Sequence, residues 1–416
     1  MTTPGTPPPL IALFNYGGGM RGLIPAYIMT HIEQVTGLRM ADMVDVFCGP
    51  STGAILNAGL TLRHPDRPTE PKYKARHMVR FYEREGARIF PPDRFRSLRG
   101  LIHDFNNRTM KISQLNNIFK HGHYDPGNLN RALRSLYGSA RLNETLSSLI
   151  IPFYNIQGKH LQAVAETDES TAAPVHTRNN IIDEGGHAVW LKHMALNGGY
   201  GFKRGTPDVL LHDAVSASAA APTFFPCHNF SAQWGDREHP DDYAAIDGSI
   251  FDNPCITYLG ALRQHLMPGQ KLIIIAFGTG YTNRAIKKED WNRYGSLGVV
   301  DPVNDLPLIN IFFHASESAL WDTFAEEMGD NLYVINKSLI SGRQPDWPSV
   351  QIDDASPENL DRLKRFAEMM IDEQRAQLDA VCDILVSNHD RRQRDALRPE
   401  PKSWKTMLSQ LIPMGE

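Results

Sequence analysis

Apolar and polar positions switch between two periods along the first 60 residues. Residues 10–16 (LIALFNY) form a short, nearly continuous apolar run ending in three glycines, which predicts a buried strand. Positions 23–35 suit a helix. Residues 43–48 (MVDVFC) are strand-like again and run into Gly49-Pro-Ser-Thr-Gly53, with a helix predicted over 54–60. Strand, glycine turn and helix, given twice, is the rhythm of an α/β layer with a parallel sheet. Right-handed crossovers would put both glycine turns at the carboxyl ends of the strands, the edge where such sheets bind ligands.

Further along, 73–90 and 128–149 read as helices, 150–156 as a strand, and 212–221 as a Ser/Ala-rich helix halted by Pro222. Residues 271–277 (KLIIIAF) give the clearest strand, closed by Gly278-Thr-Gly280. Residues 160–210 show little periodicity and read as an insertion that could cover a site. The pattern divides the chain into a Pro-rich lead (1–9), a main domain (10–342) and a helical C-terminal extension (343–416). In that extension, 357–385 reads as one long charged helix with apolar Leu360, Leu363, Phe366, Met370, Leu378, Val381 and Leu385.

The 416 residues include 41% hydrophobic and 22% charged positions, ordinary globular usage that excludes wholesale disorder and a coiled-coil rod. Net charge is -4, so there is no global basic excess to bind nucleic acid. Cys48, Cys227, Cys255 and Cys382 lie far apart with no CxxC pairing, which gives no zinc site or disulfide framework and fits a reducing, cytoplasmic setting. No basic and apolar leader opens the sequence, and no apolar run approaches the roughly 20 residues that span a bilayer, so any membrane contact is expected to be peripheral.

Gly17-Gly-Gly-Met-Arg-Gly22 satisfies GxGxxG after a strand, and Asp45 lies at a tolerable distance for a ribose-binding carboxylate. Yet the strand carrying Asp45 continues into a second glycine turn that holds a serine, which a dinucleotide site does not need. The same glycines can aim several N–H groups at one point, as an oxyanion hole does, or merely allow a tight turn. Gly49-Pro-Ser-Thr-Gly53 matches the GxSxG nucleophile elbow and would set the Ser51 hydroxyl and the Thr52 N–H at a helix N-terminus. The plainer alternative is a serine that caps this helix. For a base, His265 and His314 are open possibilities, though none of the 16 histidines sits in a signature. Asp247, after the apolar approach Ala244-Ala-Ile, is the better candidate, because partial desolvation raises a carboxylate's proton affinity. Read alone, Asp247-Gly248 is an ordinary turn.

Taken in order, Gly17 to Gly22, Ser51 in GPSTG, the segment AVSASAAAPTFFP from Ala214 to Pro226, and Asp247-Gly248 resemble the patatin-like phospholipases. The resemblance runs from about residue 10 to 280, supported by FGTG at 277–280, and weakly to 339; residues 345–416 lie outside it. It implies a three-layer α/β sandwich with a mostly parallel central sheet flanked by helices. Ser51 would be the nucleophile and Asp247 the base. The backbone of Gly17, Gly18, Gly19, Met20, Arg21, Gly22 and Thr52 would supply the oxyanion hole. Gly49 and Gly53 frame the elbow, and Gly248 and Ser249 complete the base motif. Two departures stand out: Ser249 where the family usually has Gly or Ala, and Asp252-Asn253-Pro254 for Asn-Asn-Pro. The implied activity is serine acyl hydrolysis of a phospholipid or other fatty-acyl ester, with no cofactor or metal. A catalytically idle, ligand-regulated member is the alternative. Neither the oligomeric state nor the acyl and head-group preference can be read. In the tail, Arg391, Arg392, Arg394 and Arg398 precede a stripe of Trp404, Met407, Leu408 and Leu411, which would pack on the domain or anchor it at a lipid surface.

Overall fold

A computed structural model describes the protein at residues 7–91, 124–157, 185–195, 205–282 (except 223, 236 and 237), 286–299 and 307–396. Among these residues, eight strands form one sheet: β1 (Leu10–Asn15), β2 (Val46–Cys48), β3 (Ser148–Asn155), β4 (His187–His193), β5 (His228–Ala232), β6 (Asp241–Asp247), β7 (Leu272–Phe277) and β8 (Leu332–Ile335). Their order is β5-β6-β3-β2-β1-β7-β8, with β4 also on β3. The run β3-β2-β1-β7-β8 is parallel, while β4 and β6 are antiparallel to β3 and β5 to β6.

Side chains of β1 divide between two apolar clusters, Ile11 and Leu13 into one and Leu10, Ala12 and Phe14 into the other. A strand covered on both faces explains its unbroken apolar run. The first cluster takes α1 (Leu23–Thr36), α3 (Thr52–Thr61), α4 (Ala75–Ile89), α5 (Pro126–Tyr137) and α6 (Leu211–Ser218). The second takes α7 (Pro254–Thr257), the turn after it, and the end of the helix Pro307–Met328. The result is the expected three-layer, mostly parallel α/β sandwich.

The structure revises several local expectations. The strand expected over 43–48 shrinks to three residues, because α2 (Met40–Met43) winds into a helical turn closed by the Val44 N–H on the Met40 carbonyl, 3.0 Å. The helix expected over 128–149 stops at Tyr137, where Gly138 caps it, and the chain turns into β3. Within 160–210, β4 pairs with β3 along its length from Leu149 to Asn155. The long C-terminal helix divides at Gln374 into Pro357–Glu373 and Arg375–Ala396, with the Gln374 side chain bonded outward to the Asn336 carbonyl, 3.2 Å.

Both C-terminal helices share the first cluster, burying Leu363, Phe366, Met370, Leu378, Val381 and Leu385. Near their end, Arg391 Nη2 reaches both oxygens of the fully buried Asp45 (3.2 and 3.1 Å), and Arg392 lies 3.9 Å away. Asp45 also accepts the Ile11 N–H at 3.0 Å. That carboxylate is therefore committed and cannot grip a ribose. Arg391 and Arg392 are likewise withdrawn from any lipid-facing role, while Arg398, Trp404, Met407, Leu408 and Leu411 lie outside the described residues.

Candidate active site

Ser51 sits at φ 52, the only non-glycine residue with positive φ among those described. Such a conformation costs about 1–3 kcal/mol and persists only where the surroundings enforce it. A Cβ on either Gly49 or Gly53 would lie 2.0 Å from the Asn15 carbonyl oxygen, so the elbow can press against the end of β1 only with glycine on both sides. From α6, Ser218 accepts the Ser51 N–H on its carbonyl and on its Oγ, both at 3.1 Å, and donates its own hydroxyl to the Pro152 carbonyl at 2.5 Å.

Register explains why Asp247 arrives here. One edge of β3 is shared: β2 pairs with it up to Cys48 opposite Ile150, and β6 enters from the other direction, ending at Asp247 opposite Phe153. The chain ends of β2 and β6 thus meet at Pro152, where a Cβ on Gly248 would stand 2.2 Å from the Pro152 carbonyl and 3.1 Å from Pro50 of the elbow. The Asp247 N–H is fixed to the Ala220 carbonyl at 3.0 Å, so the end of α6 ties down both partners.

Asp247 is 2% exposed. Its Oδ1 accepts the Ser249 N–H (2.7 Å) and the Ser249 hydroxyl (2.6 Å), whereas Oδ2 has no hydrogen-bond partner among the described residues. Burial pushes the carboxyl up to about 6, against the opposing pull of the Ser249 and Ser51 hydroxyls. Ser51 therefore lies close enough to favour the anion without being aligned on Oδ2. Such looseness is ordinary before substrate binds.

Three of the expected oxyanion amides are already engaged. The Gly17 N–H goes to both oxygens of Asp252 at 2.9 Å, that of Met20 to the Ile352 carbonyl at 2.7 Å, and that of Arg21 to the Gly18 carbonyl at 3.1 Å. Gly22 opens α1 and packs against the Thr52 hydroxyl. The N–H groups of Gly18, Gly19 and Thr52 remain open among the described residues. The Thr52 hydroxyl donates to the Gly19 carbonyl at 2.8 Å and also meets the Tyr82 hydroxyl, coupling the glycine loop to the elbow. Behind this loop lies the buried Arg21 guanidinium, drawn down to about 10 by desolvation against the pull of Asp252, and still a cation at neutral pH.

Ser51 and Thr52 border an apolar cavity whose wall includes Met20, Ile55, Phe81, Phe224, Phe225 and Ile352. Sequence reasoning missed two participants. Ser218 stands in the Ser/Ala-rich segment, but nothing local gives its role. Ile352 comes from the C-terminal region, and no pattern links it to Met20. His265 sits on the turn leading into β7, at the amino ends of the parallel strands and so across the sheet from the elbow. The side chain of His314 lies outside the described residues.

The family model for patatin-like phospholipase matches residues 16–259. Patatin-like protein 2 of Oryza sativa subsp. indica is 25% identical over 394 residues, covering 87% of this chain and 84% of that protein. Patatin-like protein 2 of Arabidopsis thaliana is 25% identical over 398 residues, covering 88% and 84%. A Solanum tuberosum protein described as probable inactive patatin-3-Kuras 1 is 23% identical over 388 residues, covering 85% and 84%. Coverage of 87% is more than residues 1–344 could supply, so the similarity reaches into the C-terminal region that contributes Ile352. A family match spanning more than half of the sequence, on a fold that brings its glycine loop, elbow and Asp-Gly turn to one edge, places the chain in the patatin-like phospholipase family.

Proposed function

We propose that the chain is a serine lipid acyl hydrolase of the phospholipase A type, working through Ser51 and Asp247. The observation that carries this reading is a serine strained into a positive-φ turn beside a buried carboxylate whose second oxygen is open among the described residues, on the wall of an apolar cavity. The Ser51 oxygen attacks the ester carbonyl as its proton passes to Asp247 Oδ2. Charge on the carbonyl oxygen is then met by the N–H groups of Gly18, Gly19 and Thr52. Collapse breaks the acyl–oxygen bond, and Asp247 returns the proton to the departing alcohol, a lysophospholipid. Water, deprotonated by the same carboxylate, then attacks the acyl carbonyl, and Asp247 passes that proton to the Ser51 oxygen as it leaves and the fatty acid is released. The apolar wall beside Ser51 suits the part of an acyl chain next to the ester, so in this reading the chain lies on that wall and the head group stays outside, at a bilayer contacted peripherally. No helix among the described residues is long and apolar enough to cross a membrane.

A fluorophosphonate probe, together with lipid mass spectrometry on vesicles of mixed membrane phospholipids that also carry neutral glycerides, tests this. Wild-type protein should be labelled at Ser51 and should release fatty acid and lysophospholipid in equal amounts, and Ser51→Ala should do neither. Labelling without lipid turnover would favour an idle or ligand-gated member of the family, and release of fatty acid from neutral glycerides alone would overturn the phospholipase assignment.

A further inference from the structure

The base carries an unusual asymmetry: one oxygen of Asp247 receives two donors, both from Ser249, and the other has no aligned donor among the described residues. The backbone N–H at this position is available to any residue type, but the hydroxyl belongs to Ser249 alone. Ser249 also stands next to the nucleophile's neighbourhood, since a Cβ on Gly17 would lie 2.9 Å from Ser249 Oγ and 3.3 Å from Ser51 Cβ. On the reading that Ser51 and Asp247 form the catalytic pair, we propose that Ser249 is a positioning residue whose hydroxyl fixes the Asp247 carboxylate through Oδ1, turns Oδ2 toward Ser51, and sets the pH below which the base is lost.

The chemistry of the donor supports this. A hydroxyl bound to an ionised carboxylate is a charge-assisted hydrogen bond, stronger than a neutral one and present in full only with the anion. It therefore opposes the desolvation that otherwise drives this buried group toward its protonated form. Among the described residues no ionised side chain supplies that opposition. Arg21 and Asp252 interact with each other beyond Gly17. On α6, Asp213 is taken by His228 and His212. On the helix Pro307–Met328, which packs against the turn of Ser249, Glu327 receives the Tyr258 hydroxyl. Ser249 also decides which oxygen reacts: with both of its donors on Oδ1, the proton from Ser51 has only Oδ2 to reach.

The test is the pH profile of kcat/KM on a soluble short-chain ester, with melting temperatures alongside. In Ser249→Ala the anion loses its charge-assisted donor, so the base is protonated at higher pH. The acid limb should move toward alkaline pH by about one unit or more, with KM changed less than twofold. Ser249→Thr, which keeps the hydroxyl, should hold the limb at its wild-type place, and Ser249→Gly should behave like Ser249→Ala, so that one poorly folding variant does not decide the matter. An unmoved limb in folded Ser249→Ala or Ser249→Gly, or a limb in Ser249→Thr that moves as far as in Ser249→Ala, would overturn the assignment. Failure of the underlying dyad looks different: Asp247→Asn would then retain the activity whatever happens at Ser249.

Discussion

Asp45 and Asp247 are both carboxylates buried beside strand ends of the same sheet, yet they are built for opposite purposes. Asp45, fully enclosed, faces Arg391 and Arg392 and takes the Ile11 N–H, so its charge is balanced and its oxygens are occupied. Asp247, nearly as enclosed, has no cation beside it and keeps one oxygen open among the described residues. A balanced buried pair ties two elements together, here the last helix to the leading edge of β2. An unbalanced one is driven toward neutrality and can take up and release a proton near physiological pH. Burial of a carboxylate therefore identifies nothing by itself; what separates the two is whether a counter-charge came with it.

The largest effect that could break this contrast is on turnover. Asp247→Asn should lower kcat on a soluble ester at least about a thousandfold, with the Ser51→Ala, Asp247→Asn double variant hardly worse than either single, because nucleophile and base act as one unit. Asp45→Asn should leave kcat of the folded protein within about twofold. Stability should move in the opposite sense. The Asp247 carboxyl, lifted from 3.8 to about 6 by burial, gives its full stabilising contribution below about pH 4 and loses it as pH rises through 6. A shift of roughly two units corresponds to about 3 kcal/mol, so Asp247→Asn should melt above wild type at pH 8 and level with it near pH 4. Asp45→Asn takes from Arg391 its buried partner, leaving it Asp395 and Asn388, and should lower stability at pH 8 by about 1–2 kcal/mol. Calorimetry at the two pH values would sink the contrast if both variants moved the same way. In wild type the same titration should make kcat/KM fall as pH drops through about 6.

The next largest effect tests the other half of the reaction, the anion opposite the base. A Cβ on Gly18, where φ is 153, would stand 2.5 Å from the Thr279 hydroxyl, so Gly18→Ala must displace the loop and swing its N–H away from the elbow. Loss of one such donor costs about a hundredfold or more in kcat with little change in KM. A fall in kcat no greater than the fall in folded fraction would mean that the glycine serves only the turn.

How far these residues could be read beforehand follows from where their constraints lie. Ser51 was legible because everything that shapes it locally, the preceding strand, the two glycines and the following helix, falls within a dozen residues. The parallel core was legible because β1 and β7 are buried on both faces and so carry unbroken apolar runs. Asp247 was marked only by an apolar approach and a glycine, and the register that brings it to Ser51 depends on β3 being shared by β2 and β6. The engaged amides were hidden for the same reason. Asp252, 235 positions from Gly17, and Ile352, still farther from Met20, consume N–H groups that the local pattern leaves free. Arg391 reads in sequence only as one of the arginines leading into the tail because its partner lies 346 positions away.

The smallest predicted effect concerns Ser218, the residue that serves the nucleophile much as Ser249 serves the base. Its hydroxyl accepts the Ser51 N–H and donates to Pro152, but its main-chain carbonyl accepts the same N–H at the same distance. Ser218→Ala therefore removes one of two restraints and leaves the Pro152 carbonyl without that donor, a loss of about 1 kcal/mol in stability. With the elbow slightly freer, the strained φ of Ser51 should relax part of the time, and fluorophosphonate labelling and ester turnover should both slow by about tenfold. The matching of those two rates is the informative part. A serine that drifts affects every reaction of its hydroxyl equally, whereas a damaged oxyanion site would spare neither equally, since the phosphonyl and acyl oxygens call on the Gly18, Gly19 and Thr52 amides in different geometries. If labelling and turnover stay at wild-type rates, the glycines packed on Asn15 hold the elbow alone, and the tie from α6 serves only to bring β6 and Asp247 into line.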